Sequence, residues 1–157
     1  MDTENETEAI RPNLVYLANA LLQYYNVADP PTPIERMVED PPVGLNELDL
    51  DKISDVMEHG LYNYAPRLAM AHFLCREIAH SKTTKKRFGV DISIATHADV
   101  KFFARCLMMP SRWVYRLARQ GLSVEQISTQ LQAPSYAVVT RLVELGLPLP
   151  NSDQNLQ

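Results

Sequence analysis

The residues whose types and spacing suggest chemistry sit in Arg67–His80, RLAMAHFLCREIAH, directly after Pro66. A helix with two histidines four residues apart presents both on one face, where they bind zinc. A glutamate directly after the first histidine then acts as general base toward a metal-bound water. His72 holds the first ligand position, but the glutamate position is Phe73 and the second histidine position is Arg76. A phenyl ring takes no proton from water, and a guanidinium has no lone pair to give a metal. The spacing is that of a zinc-protease helix without its base and without one ligand.

A metal role for His72 needs two or three further donors, and His80, His97 and Asp99 are the candidates. His80 lies eight residues on, about 80° around a helix from His72. One imidazole with one carboxylate makes a weak zinc site. The other reading of His72 is a hydrogen-bonded, half-buried histidine. Arg76 stands one turn after His72. If Asp99 points to the same place, an Arg76–Asp99 ion pair sets a fixed positive charge where a metal would sit; the other reading is a solvated arginine. Phe73 is expected in the core. Glu77 lies off the His72 line and is expected as a surface glutamate, not a displaced base.

The elements that must position these residues are mostly helical. Residues 1–10 are acidic, polar and expected to be disordered. Asn13 caps a helix over Leu14–Tyr25, with Leu14, Leu17, Leu21 and Leu22 as its apolar stripe. Asp29-Pro30-Pro31-Thr32-Pro33 is a stiff connection, after which Thr32 caps a short helix, Pro33–Val38. Val43–Leu48 reads as a short strand or an extended loop. A further helix starts at Asp49 or Asp51 and ends near His59-Gly60. The central helix covers about Pro66–His80, followed by a basic loop, Ser81–Arg87. Phe88–Ile94 is β-like but weakened by Gly89. Helices then cover Thr96–Met108, stopped by Pro110, and Arg112–Arg119, capped by Ser111 and ended by Gly121. Ser123 and Gln126 form a capping box for a helix to about Gln132. The last helix opens at Ser135, runs to Leu145 and ends at Gly146. The expected organisation is a single domain over residues 11–147 with a loose tail at 148–157. The fold class is mainly α, with at most two or three short strands.

The chain has 157 residues, of which 46% are apolar and 22% charged, as in an ordinary globular domain with a core of its own. No apolar run approaches the roughly 18 residues of a membrane span, and the N-terminus lacks the pattern of a signal peptide. Cys75 and Cys106 fall in apolar helical contexts and read as buried free thiols. A cytoplasmic location is expected. The net charge of −4 divides into −10 over residues 1–66 and +6 over residues 67–157. Either the two halves pack together and compensate, or the basic half meets an acidic partner.

In this order the chain resembles the ImmA/IrrE family of bacterial metallopeptidases, over roughly residues 14–147. LANALLQYYNV followed by PPTPIERMV looks like the family's N-terminal helix, proline-bearing turn and second helix. RLAMAHFLCREIAH is similar to the pattern R-x-x-x-A-H-E-x-x-H-x-x-x-H, matched by Arg67, Ala71, His72 and His80 and not by Phe73 or Arg76. DVKFFARCLMMP resembles E-A-N-x-F-A-A-x-L-L-M-P, matched by Phe103, Ala104, Leu107, Met109 and Pro110. Asp99 falls where the resemblance implies the third metal ligand. The likeness implies a zincin-like helical domain of α+β ancestry. Family members are typically zinc endopeptidases that cut helix-turn-helix repressors.

Because the base and second ligand are replaced, the expectation is a catalytically inactive homologue, a pseudoprotease that binds a protein partner and holds no cofactor. The partner implied by the resemblance is a helix-turn-helix regulator or a second copy of the chain. The alternative is a zinc-dependent endopeptidase with a rearranged site built on His72, Asp99 and His80 or His97. The last helix pair has the length and turn of a helix-turn-helix. Arg141 is its only basic residue near a reading surface, so two helices closing the core are expected and nucleic acid is not. Arg112, Arg116 and Arg119 form a stripe beside Trp113 and Tyr115; it is either a partner-binding face or an ordinary solvated one.

Overall fold

A computed structural model describes residues 3–42 and 64–150. It is mainly α, with eight helices among the described residues: α1 Thr3–Tyr24, α2 Ile34–Glu39, α3 Ala65–His80, α4 Thr83–Phe88, α5 His97–Met108, α6 Ser111–Arg119, α7 Val124–Leu131 and α8 Ser135–Glu144. The short strand or extended loop expected at 43–48 and the helix expected to end near residue 60 lie outside the described residues. No helix among the described residues is long and apolar enough to cross a membrane.

The centre of the fold is α5, which packs on α1 along one side and on α3 along another. Its fully buried Phe103, Ala104 and Leu107 fill the space between them. The facing side of α1 is the stripe Ile10, Leu14, Leu17, Leu21 at helical spacing, and that of α3 includes Ala71, Leu74, Cys75 and Ile78. Burying each large apolar side chain of this set contributes about 1.5–3 kcal/mol. Helix α2 packs on α3, and α7 packs on α6 and α8.

Helix α1 starts at Thr3, not after Asn13, and so includes residues expected to be disordered. Pro12 lies inside it, where a missing N–H and a ring clash disfavour a helix by about 3 kcal/mol. Tertiary contacts on this segment oppose that cost: Ile10 is buried, and the Arg11 guanidinium lies 4.7 Å over the Phe102 ring of α5. Ser81–Arg87 is not a loop either. Thr84 donates its hydroxyl to the Ile78 carbonyl at 2.7 Å, folding α4 back on the end of α3.

The β-like patch at Phe88–Ile94 forms no strand. Gly89 caps α4 in the left-handed region at φ 75°, and Asp91 then accepts from the Ser93 N–H and hydroxyl at 3.0 and 2.7 Å, closing an Asx turn. Thr32 does not cap α2; its buried hydroxyl donates to the Leu107 carbonyl of α5 at 2.7 Å. Ser111 is the first residue of α6, whose cap is Pro110. The Ser123/Gln126 capping box is present as expected. Gly121 and Gly146 sit at positive φ just past the ends of α6 and α8.

Arg67 joins these parts. Its Nε and Nη2 hold the Glu35 carboxylate of α2 at 2.6 and 3.2 Å. Nη2 also donates to the Thr32 carbonyl, and Nη1 donates to the Gln132 carbonyl at 2.9 Å. Gln132 ends α7 at φ 50°, a conformation uncommon for a residue with a side chain. Ion pairs of Arg67 with Glu35 and of Arg116 with Asp29 link the acidic first part of the chain to the basic remainder.

Candidate functional site

On α3 the motif positions are separated by their surroundings. His72 is half-buried and faces the side of α5 where His97, Lys101 and Arg105 recur every four residues. Its pKa is brought down to about 4, first by burial and then by the positive charge of Lys101, Arg105 and His97. At neutral pH the imidazole is therefore uncharged. The same positive field that discourages its protonation also opposes a metal dication. Phe73 packs partly against the core. Arg76 is exposed, with its guanidinium 5.5 Å from the Phe73 ring centre.

The α5 position does not complete a site. Asp99 is only 3% exposed, and its Oδ2 accepts from the Thr96 N–H at 2.8 Å and the Thr96 hydroxyl at 2.9 Å. Thr96 in turn accepts from the Asp99 N–H, making a reciprocal capping box. Of the two readings of Arg76, the ion pair with Asp99 does not form and the exposed arginine does: the carboxylate bonds three residues back along its own chain, and the guanidinium lies over a ring of its own helix. His80 is exposed in the last turn of α3 and His97 in the first turn of α5. No group of three or more His, Cys, Asp and Glu among the described residues is placed to hold a metal ion. One neutral imidazole among cations and one carboxylate already engaged in a cap do not fit a tetrahedral zinc site.

The three arginines of the α6 stripe are all exposed. Trp113 is a core residue whose indole N–H donates to the Ala28 carbonyl at 3.2 Å, so it is no surface anchor. Arg112 donates to the Val27 carbonyl at 3.4 Å and lies over the Trp113 ring. Arg116 reaches Asp29 at 3.3 Å. Two of the three arginines thus hold the segment after α1. Arg119 is exposed and lines a cleft of about 630 Å³ between α6, the turn into α7, and Leu147–Pro150.

Sequence reasoning missed this cleft. Ser123 and Gln126 were legible only as a cap, and Pro148–Pro150 as the start of a loose tail. The signal was the alternation Leu147-Pro148-Leu149-Pro150, too apolar for a solvated end. The chain turns back there because Gly146 adopts φ 66° and the Leu147 N–H bonds the Leu142 carbonyl at 2.9 Å.

On α8, Arg141 is buried. Its Nε donates to the Met109 carbonyl at 2.9 Å and its Nη1 reaches Glu144 at 3.4 Å. Glu144 also takes Arg105 of α5 at 2.5 Å, a pairing with no sequence signature. The outward side of α8 carries Tyr136, 65% exposed, and Val143, 64% exposed, without a basic side chain.

No protein-family model matches the chain, and no curated protein or solved structure compared with it is similar.

Proposed function

We propose that the chain is a non-catalytic, protein-binding domain in which a zinc-peptidase helix has become a packing element. The observation that carries this reading is the Arg76 guanidinium lying over the Phe73 ring, at the two positions where peptidase chemistry needs a ligand and a base. The cationic surroundings of His72 and the capping role of Asp99 support it. The partner is the one the ImmA/IrrE resemblance implies, a helix-turn-helix regulator or a second copy of this chain.

The test is elemental analysis of protein purified without chelator or histidine tag, before and after incubation with zinc, paired with His72→Ala. The expected result is substoichiometric zinc, unchanged by the substitution, and no cleavage of an unfolded protein substrate. Stoichiometric zinc that disappears in His72→Ala would overturn the reading in favour of a rearranged metal site. Sedimentation over a concentration series separates a second copy from a foreign regulator as the partner.

A further inference from the structure

The cleft beside α6 carries one charge in its lining, and it is positive. Arg119 is the charged residue in it, and no acidic side chain among the described residues pairs with Arg119. Ser123 and Gln126 supply the other polar side chains, and their capping box fixes what each has left to offer. The Ser123 hydroxyl oxygen accepts the Gln126 N–H at 3.2 Å, which leaves its O–H to donate. The Gln126 side-chain oxygen accepts the Ser123 N–H at 2.9 Å, which leaves its amide N–H groups to donate. The cleft therefore offers a guanidinium, a hydroxyl proton and an amide NH₂, with no carboxylate in its walls. The remaining surface is hydrocarbon and aromatic, from Tyr115, Leu122, Leu147 and Leu149. The Tyr115 hydroxyl is already turned to the Leu145 carbonyl, at 3.4 Å.

We propose that this cleft binds a small amphipathic monocarboxylate. The carboxylate is held by Arg119 with Ser123 and Gln126 donating, and the apolar body lies against Tyr115, Leu122 and Leu149. An unpaired guanidinium with two neighbouring donors matches an ionised carboxylate, a group that only accepts. A volume of about 630 Å³ lies within the range of small-molecule sites. The inference does not depend on the fate of the zinc-peptidase helix.

The test titrates 3-phenylpropionate, octanoate and indole-3-acetate, each against its uncharged amide, into the full chain and follows backbone amide signals. At least one acid is expected to move Leu122, Ser123, Gln126 and Leu149. Its amide should bind at least about tenfold more weakly, the size of one charge-assisted hydrogen-bond pair. Arg119→Gln should weaken the acid to the level of the amide with no change in melting temperature, because the side chain is exposed. Leu149→Glu, which sets a negative charge opposite the donors, should abolish binding. The proposal is overturned if none of the three acids binds, if acid and amide bind alike, or if the shifts map elsewhere. Binding at these residues by an acidic tetrapeptide but by no free acid overturns it in favour of a peptide-docking cleft.

Discussion

Replacing Arg67 by methionine tests how the two parts of the fold are joined. The side chain is 11% exposed and donates to three separate places, while its acidic partner Glu35 is 49% exposed. Methionine keeps much of the stem's packing and removes all four hydrogen bonds. The Thr32 carbonyl belongs to a fully buried residue, and losing its donor costs about 2 kcal/mol; the Gln132 carbonyl, nearer water, costs about 1 kcal/mol. The Glu35 end contributes about 1 kcal/mol or less, because solvent screens a half-exposed carboxylate. The sum, about 4 kcal/mol, falls in the range for removing one partner from a buried charged cluster. With a urea slope of about 2 kcal/mol per molar, the unfolding midpoint drops by about 2 M. Glu35→Gln, which disturbs only the exposed end, should cost no more than about 1 kcal/mol. Equilibrium urea unfolding, followed by the emission of the sole tryptophan, Trp113, measures both variants. If Arg67→Met destabilises no more than Glu35→Gln, the two main-chain bonds do not hold the helices together and the reasoning fails.

His72 gives a pH prediction. It protonates near pH 4 in the folded chain and near pH 6.5 unfolded, so the unfolded state binds more protons between these values. Its contribution is complete above about pH 6.5 and is lost as pH falls toward about 4; discounted for exposure, the amplitude is about 1–2 kcal/mol. Urea unfolding of wild type and His72→Gln at several pH values should show a shallower slope for the variant, and parallel curves would count against it. Arg76→Ala should lie within about 0.5 kcal/mol of wild type in the same assay, as for an exposed side chain in a single cation–π contact; a loss of several kcal/mol would point to an ion pair after all. Thr96→Ala breaks the α5 capping box and should lower stability by about 1 kcal/mol, with faster amide exchange at Asp99. Unchanged exchange there would mean the cap is redundant.

Helices whose ends are marked by short-range chemistry were legible in the sequence. The Ser123/Gln126 box, the glycines after α6 and α8, and the run from Pro66 to His80 fixed four helices to within a residue or two. What failed depended on distant residues. Asn13 reads as a helix cap, yet the helix runs back through Pro12 to Thr3, accompanied by the contact of Arg11 with the Phe102 ring. Arg67 reads as a motif position, and nothing in the sequence connects it to Thr32 or to Gln132, 65 residues away. Arg141 reads only as the one basic residue of a helix closing the core, and nothing in the sequence connects it to the Met109 carbonyl after α5. Asp99 was legible in another way: Thr96-x-x-Asp99 is itself a capping pattern, and that local signal decides its role over the alignment with a metal ligand.

The buried thiols give the chain a built-in clock for opening. Cys75 on α3 and Cys106 on α5 are both enclosed in the core, and burial pushes both thiols up, away from the reactive thiolate. Alkylating reagents therefore reach them only when the packing around α3 and α5 opens, so the rate of modification under native conditions reports how often the centre of the domain comes apart. An added surface cysteine would be labelled first, which lets a dye or spin probe be attached at the α6 cleft without removing either native residue.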